Sequence, residues 1–113
     1  VFARRVFGPA EQAALGLPLA EEEGTARRTA HTVASAAADF AAKEAFLKAA
    51  GTGLREPFSL CEIEAVRLPG GAPAYHFSGR SAQWVEARRL RAHLSLSHED
   101  GMAMAYCILE TET

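Results

Sequence analysis

One stretch decides how this chain folds: Asp39-Phe40-Ala41-Ala42-Lys43-Glu44-Ala45-Phe46-Leu47-Lys48-Ala49-Ala50-Gly51-Thr52-Gly53. It predicts the last turns of a long alanine-rich helix that ends at a glycine stop. Because a helix turns by about 100° per residue, Val33, Phe40 and Leu47 share one face and form a predicted apolar stripe. Glu44 falls within this stripe, so we expect its carboxylate to be partly withdrawn from water.

Glu44 and Lys48, four residues apart near the helix end, allow two interpretations. In the first, they form an ordinary helix salt bridge and Gly51 caps the helix. In the second, Glu44 is a metal ligand, while Lys48 and the N–H groups of the glycine loop hold phosphates. A helix C-terminus carries partial negative charge, so the second interpretation needs both the lysine and a divalent cation to attract an anion. The spacing alone leaves both interpretations open.

The rest of the chain predicts two hairpins separated by a short helix. In chain order, the predicted elements are the long helix from Ala26 to Ala50, a strand from Cys61 to Val66 with its polar side exposed, a partner strand from Ala74 to Phe77, a short helix capped by Ser81 and ending near Arg89, a strand from His93 to Ser97, and a strand from Met102 to Leu109. Alternation places His93, Ser95 and Ser97 on one strand face. The last strand is nearly continuous apolar sequence and is predicted to be buried and central. This pattern predicts an α+β fold, with a long helix packed on a mostly antiparallel sheet.

Size and charge exclude several classes of protein. With 113 residues, the chain is predicted to be one domain, 1–113. Its net charge of −2 argues against a general nucleic-acid binder, and no apolar run approaches the roughly 20 residues of a membrane span. Cys61 and Cys107 are isolated, so we expect two buried thiols rather than a disulfide framework or a zinc site. A reducing cytoplasm is the predicted location.

Two motifs resemble those of a known family. The run Phe-Ala-Ala-Lys-Glu-Ala-x-x-Lys-Ala-x-Gly-Thr-Gly at 40–53 is similar to the signature of the holo-acyl-carrier-protein synthases, the small bacterial class of 4′-phosphopantetheinyl transferases. The run His93-Leu94-Ser95-Leu96-Ser97-His98 resembles the second motif of that family, and weaker similarity extends from Phe2 to Glu110. The resemblance implies the family's α+β fold and a homotrimer with active sites between adjacent subunits.

The resemblance also implies a reaction: transfer of 4′-phosphopantetheine from coenzyme A to a serine of acyl carrier protein, leaving adenosine 3′,5′-bisphosphate. Such chemistry requires both substrates to be positioned and phosphate charge to be neutralised. The implied roles are Mg²⁺ binding by Glu44, phosphate binding by Lys48, backbone donation to phosphates by Gly51, Thr52 and Gly53, and contact with the nucleotide or phosphates by His93 and Ser95. The base that accepts the serine proton is His93, Glu44 or a metal-bound water, and the sequence does not decide between these three.

The beginning of the chain bears on the carrier-protein partner. An exposed pair such as Arg4 and Arg5 is usually a solvated helix face. The family, however, docks its acidic carrier protein on a basic first helix, and Arg5 matches an arginine of that surface. The resemblance therefore implies that Arg4 and Arg5 contribute to docking, chiefly through complementary charge.

Two departures from the family pattern favour an alternative. The family's Gly-Ile-Asp-type strand, whose aspartate binds the magnesium, does not occur in this sequence, so either it precedes Val1 or the chain lacks one of the metal's two protein carboxylates. In addition, Asp39 replaces a usual arginine. We expect Asp39 to pair with Lys43 on the helix surface, four residues on. The alternative function is a non-catalytic module of the same fold that binds carrier protein or serves a structural role.

Overall fold

The structure, a computed structural model, describes residues 5–16 and 26–112. Its elements in chain order are α1 (Pro9–Leu15), α2 (Ala26–Ala50), a 3₁₀ turn (Leu60–Glu62), β1 (Ile63–Arg67), β2 (Pro73–Phe77), α3 (Gly79–Ala87), β3 (Leu90–Glu99) and β4 (Met102–Thr111). The predicted α+β class, with a long helix on antiparallel strands, is confirmed. Within the described ranges, every helix is too short or too polar to traverse a lipid bilayer.

Helix α2 has the predicted bounds but buries only Leu47 of the predicted stripe. Val33 is 61% exposed and Phe40 is 37% exposed, so two members of the stripe face outward. The core side instead carries Ala38, Ala42 and Phe46, all fully buried. Alanine side chains are small, so the helix backbone can approach the strands closely. The alanine-rich face of α2, with few large apolar residues, is therefore the one that packs on the strands.

Both hairpins have antiparallel registers. These run from Ile63 opposite Phe77 to Arg67 opposite Pro73 in the first, and from Leu90 opposite Thr111 to Glu99 opposite Met102 in the second. Asp100 and Gly101 close the second hairpin with φ values of 50° and 76°, as a tight hairpin turn requires. Among the described residues, the hairpins form two separate two-stranded sheets rather than one continuous sheet.

Phe46 lies at the centre of an aromatic core. Its ring centroid lies 5.5 Å from that of Phe58 and 4.9 Å from that of Phe77. Tyr75 and Trp84 complete the cluster at 5.9 and 6.4 Å from Phe46. Three of these four pairs meet edge to face, an arrangement that stabilises beyond the burial of the rings. The cluster therefore holds α2 against β2 and α3.

Strand β4 is not the buried central strand that its apolar sequence predicts. Its residues alternate between half-buried and exposed, and four large side chains are 50–70% exposed: Met102, Met104, Tyr106 and Ile108. In the described chain β4 pairs only with β3, and only one of its faces packs towards α2. A continuous apolar sequence does not indicate whether both faces of a strand are packed against other elements of the same chain. We call these four outward side chains the β4 row.

Polar residues near the first hairpin are buried against expectation. Helix α3 begins after Ser78, and Ser81 is a buried residue rather than the predicted cap. The N–H and hydroxyl of Ser81 donate to the Glu62 carboxylate at 3.2 and 3.1 Å. Glu64 is buried although alternation along the strand predicts it to be solvated, and it accepts the N–H of Glu11 at 2.9 Å. A buried carboxylate needs such donors, and here they come from segments distant in sequence.

Candidate functional site

The C-terminal end of α2 forms one wall of a cavity of about 210 Å³. Glu44 and Lys48 supply its charged groups, and the apolar lining comes from Phe40, Leu47, Leu54 and Leu60. Glu44 and Lys48 are both exposed, so the prediction that the Glu44 carboxylate is partly withdrawn from water is wrong. The reason is that α2 turns its alanine face, not this one, towards the core. We call this site the Glu44 cavity.

The two charged groups of the Glu44 cavity do not neutralise one another. Among the described residues, the carboxylate of Glu44 and the ammonium of Lys48 do not approach within the 4.0 Å of an ion pair. The helix salt bridge of the first interpretation is therefore absent from this conformation. Because residues four apart lie on the same side of a helix, both side chains can reach one ligand. The carboxylate is available to a cation and the ammonium to an anion.

The glycine loop behaves differently from the predicted phosphate cradle. The N–H of Gly51 donates to the carbonyls of Leu47 and Lys48, both at 3.1 Å, and that of Gly53 reaches the Leu47 carbonyl at 3.5 Å. These bonds identify Gly51 as the helix cap and occupy both N–H groups in this conformation, and donation by the loop to phosphates stays a prediction. The Thr52 hydroxyl donates to the Gly53 carbonyl at 3.0 Å. A Cβ added to either glycine would meet nothing within 4 Å, so the loop leaves room for a ligand.

Lys43, the neighbour of Glu44, points into the interior and is fully buried. Its ammonium donates to the Glu11 carboxylate at 2.5 Å and to the carbonyls of Leu60 and Ile63 at 2.9 and 2.6 Å. Burial lowers the pKa of Lys43 and raises that of Glu11, and the hydrogen-bonded ion pair between them opposes both shifts. We call this arrangement the Lys43 junction.

Asp39 is buried as well, and the predicted surface pair with Lys43 is wrong. Asp39 is 7% exposed and lines a second cavity, of about 590 Å³, with Arg67 and His98. Burial, reinforced by the negative charge of Glu11, raises the pKa of Asp39 to about 7, and the positive charges of Arg67 and Lys43 offset only part of this rise. Lys43 pairs with Glu11 of α1 and not with Asp39. Tertiary packing, rather than the spacing along the helix, thus decides the partner of Lys43.

The chain is similar to known proteins along almost its whole length. The family model of the 4′-phosphopantetheinyl transferase superfamily matches residues 1–107. The holo-[acyl-carrier-protein] synthase of Leptothrix cholodnii is 39% identical over 111 residues, which are 98% of this chain and 80% of that protein. The synthase of Bordetella pertussis is 40% identical over 110 residues, which are 96% of this chain and 67% of that protein. The chain belongs to the holo-[acyl-carrier-protein] synthase family.

Solved structures of this family have the same fold. The synthase from Neisseria meningitidis matches with a TM-score of 0.74 and 29% identity, over 97% of this chain and 80% of that one. The synthase from Bacillus anthracis, in complex with CoA (3′,5′-ADP), matches with a TM-score of 0.71 and 29% identity, over 98% of this chain and 81% of that one. The predicted family and its transferase class are confirmed, and the enzyme is preferred over the non-catalytic module.

Within a single chain, not all of the predicted site residues lie at the Glu44 cavity. His93 and Ser95 are exposed on β3, and neither is among the described residues that line the Glu44 cavity. Nε2 of His93 lies 2.8 Å from the carboxylate of Glu110 on the neighbouring strand. Arg5 is exposed and helical, whereas Arg4 lies outside the described residues.

The donors of the Glu44 cavity fit a magnesium ion only when substrate phosphates supply further ligands. Among the described residues, three or more His, Cys, Asp and Glu side chains nowhere cluster as a ready-made metal site. Mg²⁺ keeps several waters and is usually held by one or two carboxylates together with substrate phosphates. A single exposed carboxylate beside Lys48 matches that donor set when a diphosphate supplies the remaining oxygens.

The sequence did not identify the apolar walls of the cavity as site residues. Leu54 directly follows the glycine loop, which is the one signal that could have found it. Leu60 comes from the 3₁₀ turn, whose sequence has no hydrophobic periodicity, and Phe40 belongs to the apolar stripe that the sequence predicts. A hydrophobic pattern does not distinguish a wall of a cavity from a buried residue.

Proposed function

We propose that this chain transfers 4′-phosphopantetheine from coenzyme A to a serine of apo acyl carrier protein, with the Glu44 cavity as the phosphate end of the active site. Family membership supports the reaction. The observation that carries the site is the exposed and mutually unpaired state of Glu44 and Lys48 on one wall of the cavity. A carboxylate and an ammonium one turn apart suit a magnesium-bound diphosphate.

The chemistry defines the roles of these residues. The carrier serine oxygen forms a bond to the β-phosphorus of coenzyme A, the bond from that phosphorus to the adenosine 3′,5′-bisphosphate breaks, and the hydroxyl proton passes to a base. Lys48 stabilises the phosphate charge, and Glu44 would hold Mg²⁺, which when bound neutralises charge on the diphosphate. His93 is our candidate for the proton acceptor. Because Glu110 engages its Nε2, Nδ1 is the nitrogen left for substrate.

We further propose a homotrimer whose active sites lie between subunits. Two features support it. The β4 row exposes four large apolar side chains, which a second copy would cover. In addition, His93 and Ser95 lie outside the Glu44 cavity of their own chain, so a neighbouring copy is the expected source of these groups. Sedimentation equilibrium should give three chains per particle. Met104→Glu should give monomers without transferase activity, whereas the surface control Arg80→Glu should stay trimeric.

The docking surface for the carrier protein is proposed to include Arg5 and Arg4. Arg5 is exposed, as contact with an acidic partner requires. Complementary charge acts mainly on encounter rate and specificity. Arg5→Glu should therefore raise the KM for carrier protein by about 10-fold and leave the KM for coenzyme A unchanged. The matched control is Arg80→Glu, and an equal effect there would contradict docking at Arg5.

Mass spectrometry of apo acyl carrier protein tests the reaction. Incubation with this protein, coenzyme A and Mg²⁺ should add one phosphopantetheine, and EDTA should prevent the addition. Glu44→Gln should lower kcat/KM at least about 100-fold, because it removes the carboxylate that would hold Mg²⁺ at the diphosphate. The control Glu86→Gln changes an exposed glutamate of α3 and should have no effect. Equal activity of both variants would refute the assigned role of Glu44.

Two further proposals concern organisation and location. We propose that 1–113 acts as one transferase domain, supported by the family match across 1–107. We also propose a cytoplasmic location, supported by two free thiols, Cys61 and Cys107. Both are half-buried rather than buried as expected, and Cys61 lies in the 3₁₀ turn rather than in a strand.

A further inference from the structure

The Lys43 junction lies directly behind the Glu44 cavity and joins three segments of the chain. Its ammonium uses all three N–H bonds, on Glu11 of α1, Leu60 of the 3₁₀ turn and Ile63 at the start of β1. The Glu11 carboxylate also accepts main-chain N–H groups, from Gly8 at 3.1 Å and from Ala65 at 2.8 Å. Every buried side-chain polar atom in the described residues has a partner. A fully satisfied network of this kind specifies one packing arrangement.

Leu60 links the Lys43 junction to the cavity. Its carbonyl accepts a bond from Lys43, and the same residue lines the cavity with Glu44 and Lys48. Lys43 also immediately precedes Glu44, and successive helical residues are rotated by about 100°. Anchoring Lys43 in the interior therefore sets the direction in which Glu44 leaves the helix. The bonds of one ammonium thus link the rotation of α2 to the position of Leu60.

We propose that Lys43 is a positioning residue of the transferase, which holds the Leu60 wall and the rotation of α2 so that Glu44 and Lys48 meet coenzyme A in a single geometry. This inference rests on the proposed function of the Glu44 cavity. Lys43 touches no substrate, because it is fully buried and its donors are occupied. A lysine with only a structural role would change stability alone, whereas a positioning lysine also changes ligand binding by protein that remains folded.

The informative variant is Lys43→Met combined with Glu11→Gln. Lys43→Met alone would leave the Glu11 carboxylate buried without its partner, which endangers folding. The double variant removes both charges together, retains similar side-chain volumes and leaves an acceptor for a main-chain N–H. The matched control is Val85→Ala, which opens a gap in the hydrophobic core. Val85 neither lines the Glu44 cavity nor belongs to the Lys43 junction. All variants are compared below the onset of their thermal unfolding.

Titration calorimetry measures coenzyme A binding with and without Mg²⁺, and hydrogen exchange follows the amides of 58–63. In the presence of Mg²⁺, the double variant should bind coenzyme A about 10- to 100-fold more weakly, because Glu44 and Lys48 are no longer held in place and must be ordered on binding. Its amides in 58–63 should exchange faster than those of the wild type. Val85→Ala should bind coenzyme A as the wild type does.

Wild-type affinity in the double variant would overturn the positioning role of Lys43. An equal loss of affinity in Val85→Ala would also overturn it, because general destabilisation would then explain the effect. The proposed function fails in a different way, namely if Glu44→Gln binds coenzyme A in Mg²⁺ as tightly as the wild type, and the inference on Lys43 then falls with it. Weak binding by Glu44→Gln with normal binding by the double variant refutes the positioning role alone.

Discussion

Replacing Asp39 by asparagine should stabilise the protein, and increasingly so as the pH rises. Asp39 is buried beside Glu11, and its pKa is raised from the ordinary 3.8 to about 7. In the unfolded chain the carboxyl ionises near its ordinary pKa, whereas in the folded protein it keeps its proton until about pH 7. The folded state therefore binds more protons between these values, and stability must fall as the pH rises through this window.

The size of the effect follows from the pKa difference. Each pKa unit corresponds to about 1.4 kcal/mol, so a rise from 3.8 to about 7 makes ionised Asp39 cost about 4 kcal/mol above pH 7. Between pH 5 and pH 8 the wild type should lose about 3 kcal/mol through this group. The asparagine side chain cannot ionise, so the advantage of Asp39→Asn should grow by the same amount over that interval.

Urea unfolding at pH 5, 6, 7 and 8, at one protein concentration, measures this difference. His98 lines the same cavity as Asp39, so both proteins are compared again in a His98→Gln background. The difference between wild type and Asp39→Asn should keep its pH dependence in that background. A difference that stays constant from pH 5 to pH 8 would refute the assignment of a raised pKa to Asp39.

Three further predictions concern stability and are read from thermal or urea unfolding. Gly8→Ala should cost about 1–3 kcal/mol, because the added Cβ would collide with the Glu64 side chain, whereas the control Gly70→Ala meets nothing within 4 Å. Phe46→Ala should cost about 3–5 kcal/mol through loss of the aromatic core, and a similar cost for the half-exposed Phe40→Ala would contradict this ranking. Ser81→Ala should cost about 1 kcal/mol by removing the hydroxyl that donates to a carboxylate, and a neutral result would refute that contribution.

Local rules predicted the elements well. The alanine-rich composition and the glycine stop gave the bounds of α2 correctly, and alternation with turn residues gave both hairpins. These features depend on residues near one another in sequence, so a single chain is enough to read them. The motif around Glu44 and Lys48 was likewise read from spacing and resemblance, and the structure places both on one cavity.

The partners of buried charges were not predictable in this way. Lys43 and Asp39 have the spacing of a surface helix pair, yet the lysine turns to Glu11, which is 32 positions away. Likewise, strand alternation assigns Glu64 to solvent, whereas the N–H of Glu11 makes its burial tolerable. Periodicity records which residues share a face and contains no information on what packs against that face.

The β4 row has a thermodynamic consequence for how the stability of this protein should be expressed. Side chains that are covered only by neighbouring copies contribute their burial free energy only when those copies are bound. In the proposed homotrimer, the unfolding midpoint depends on the total protein concentration, because dilution favours dissociation and unfolding. A melting temperature of such a trimer has meaning only when the concentration is given with it.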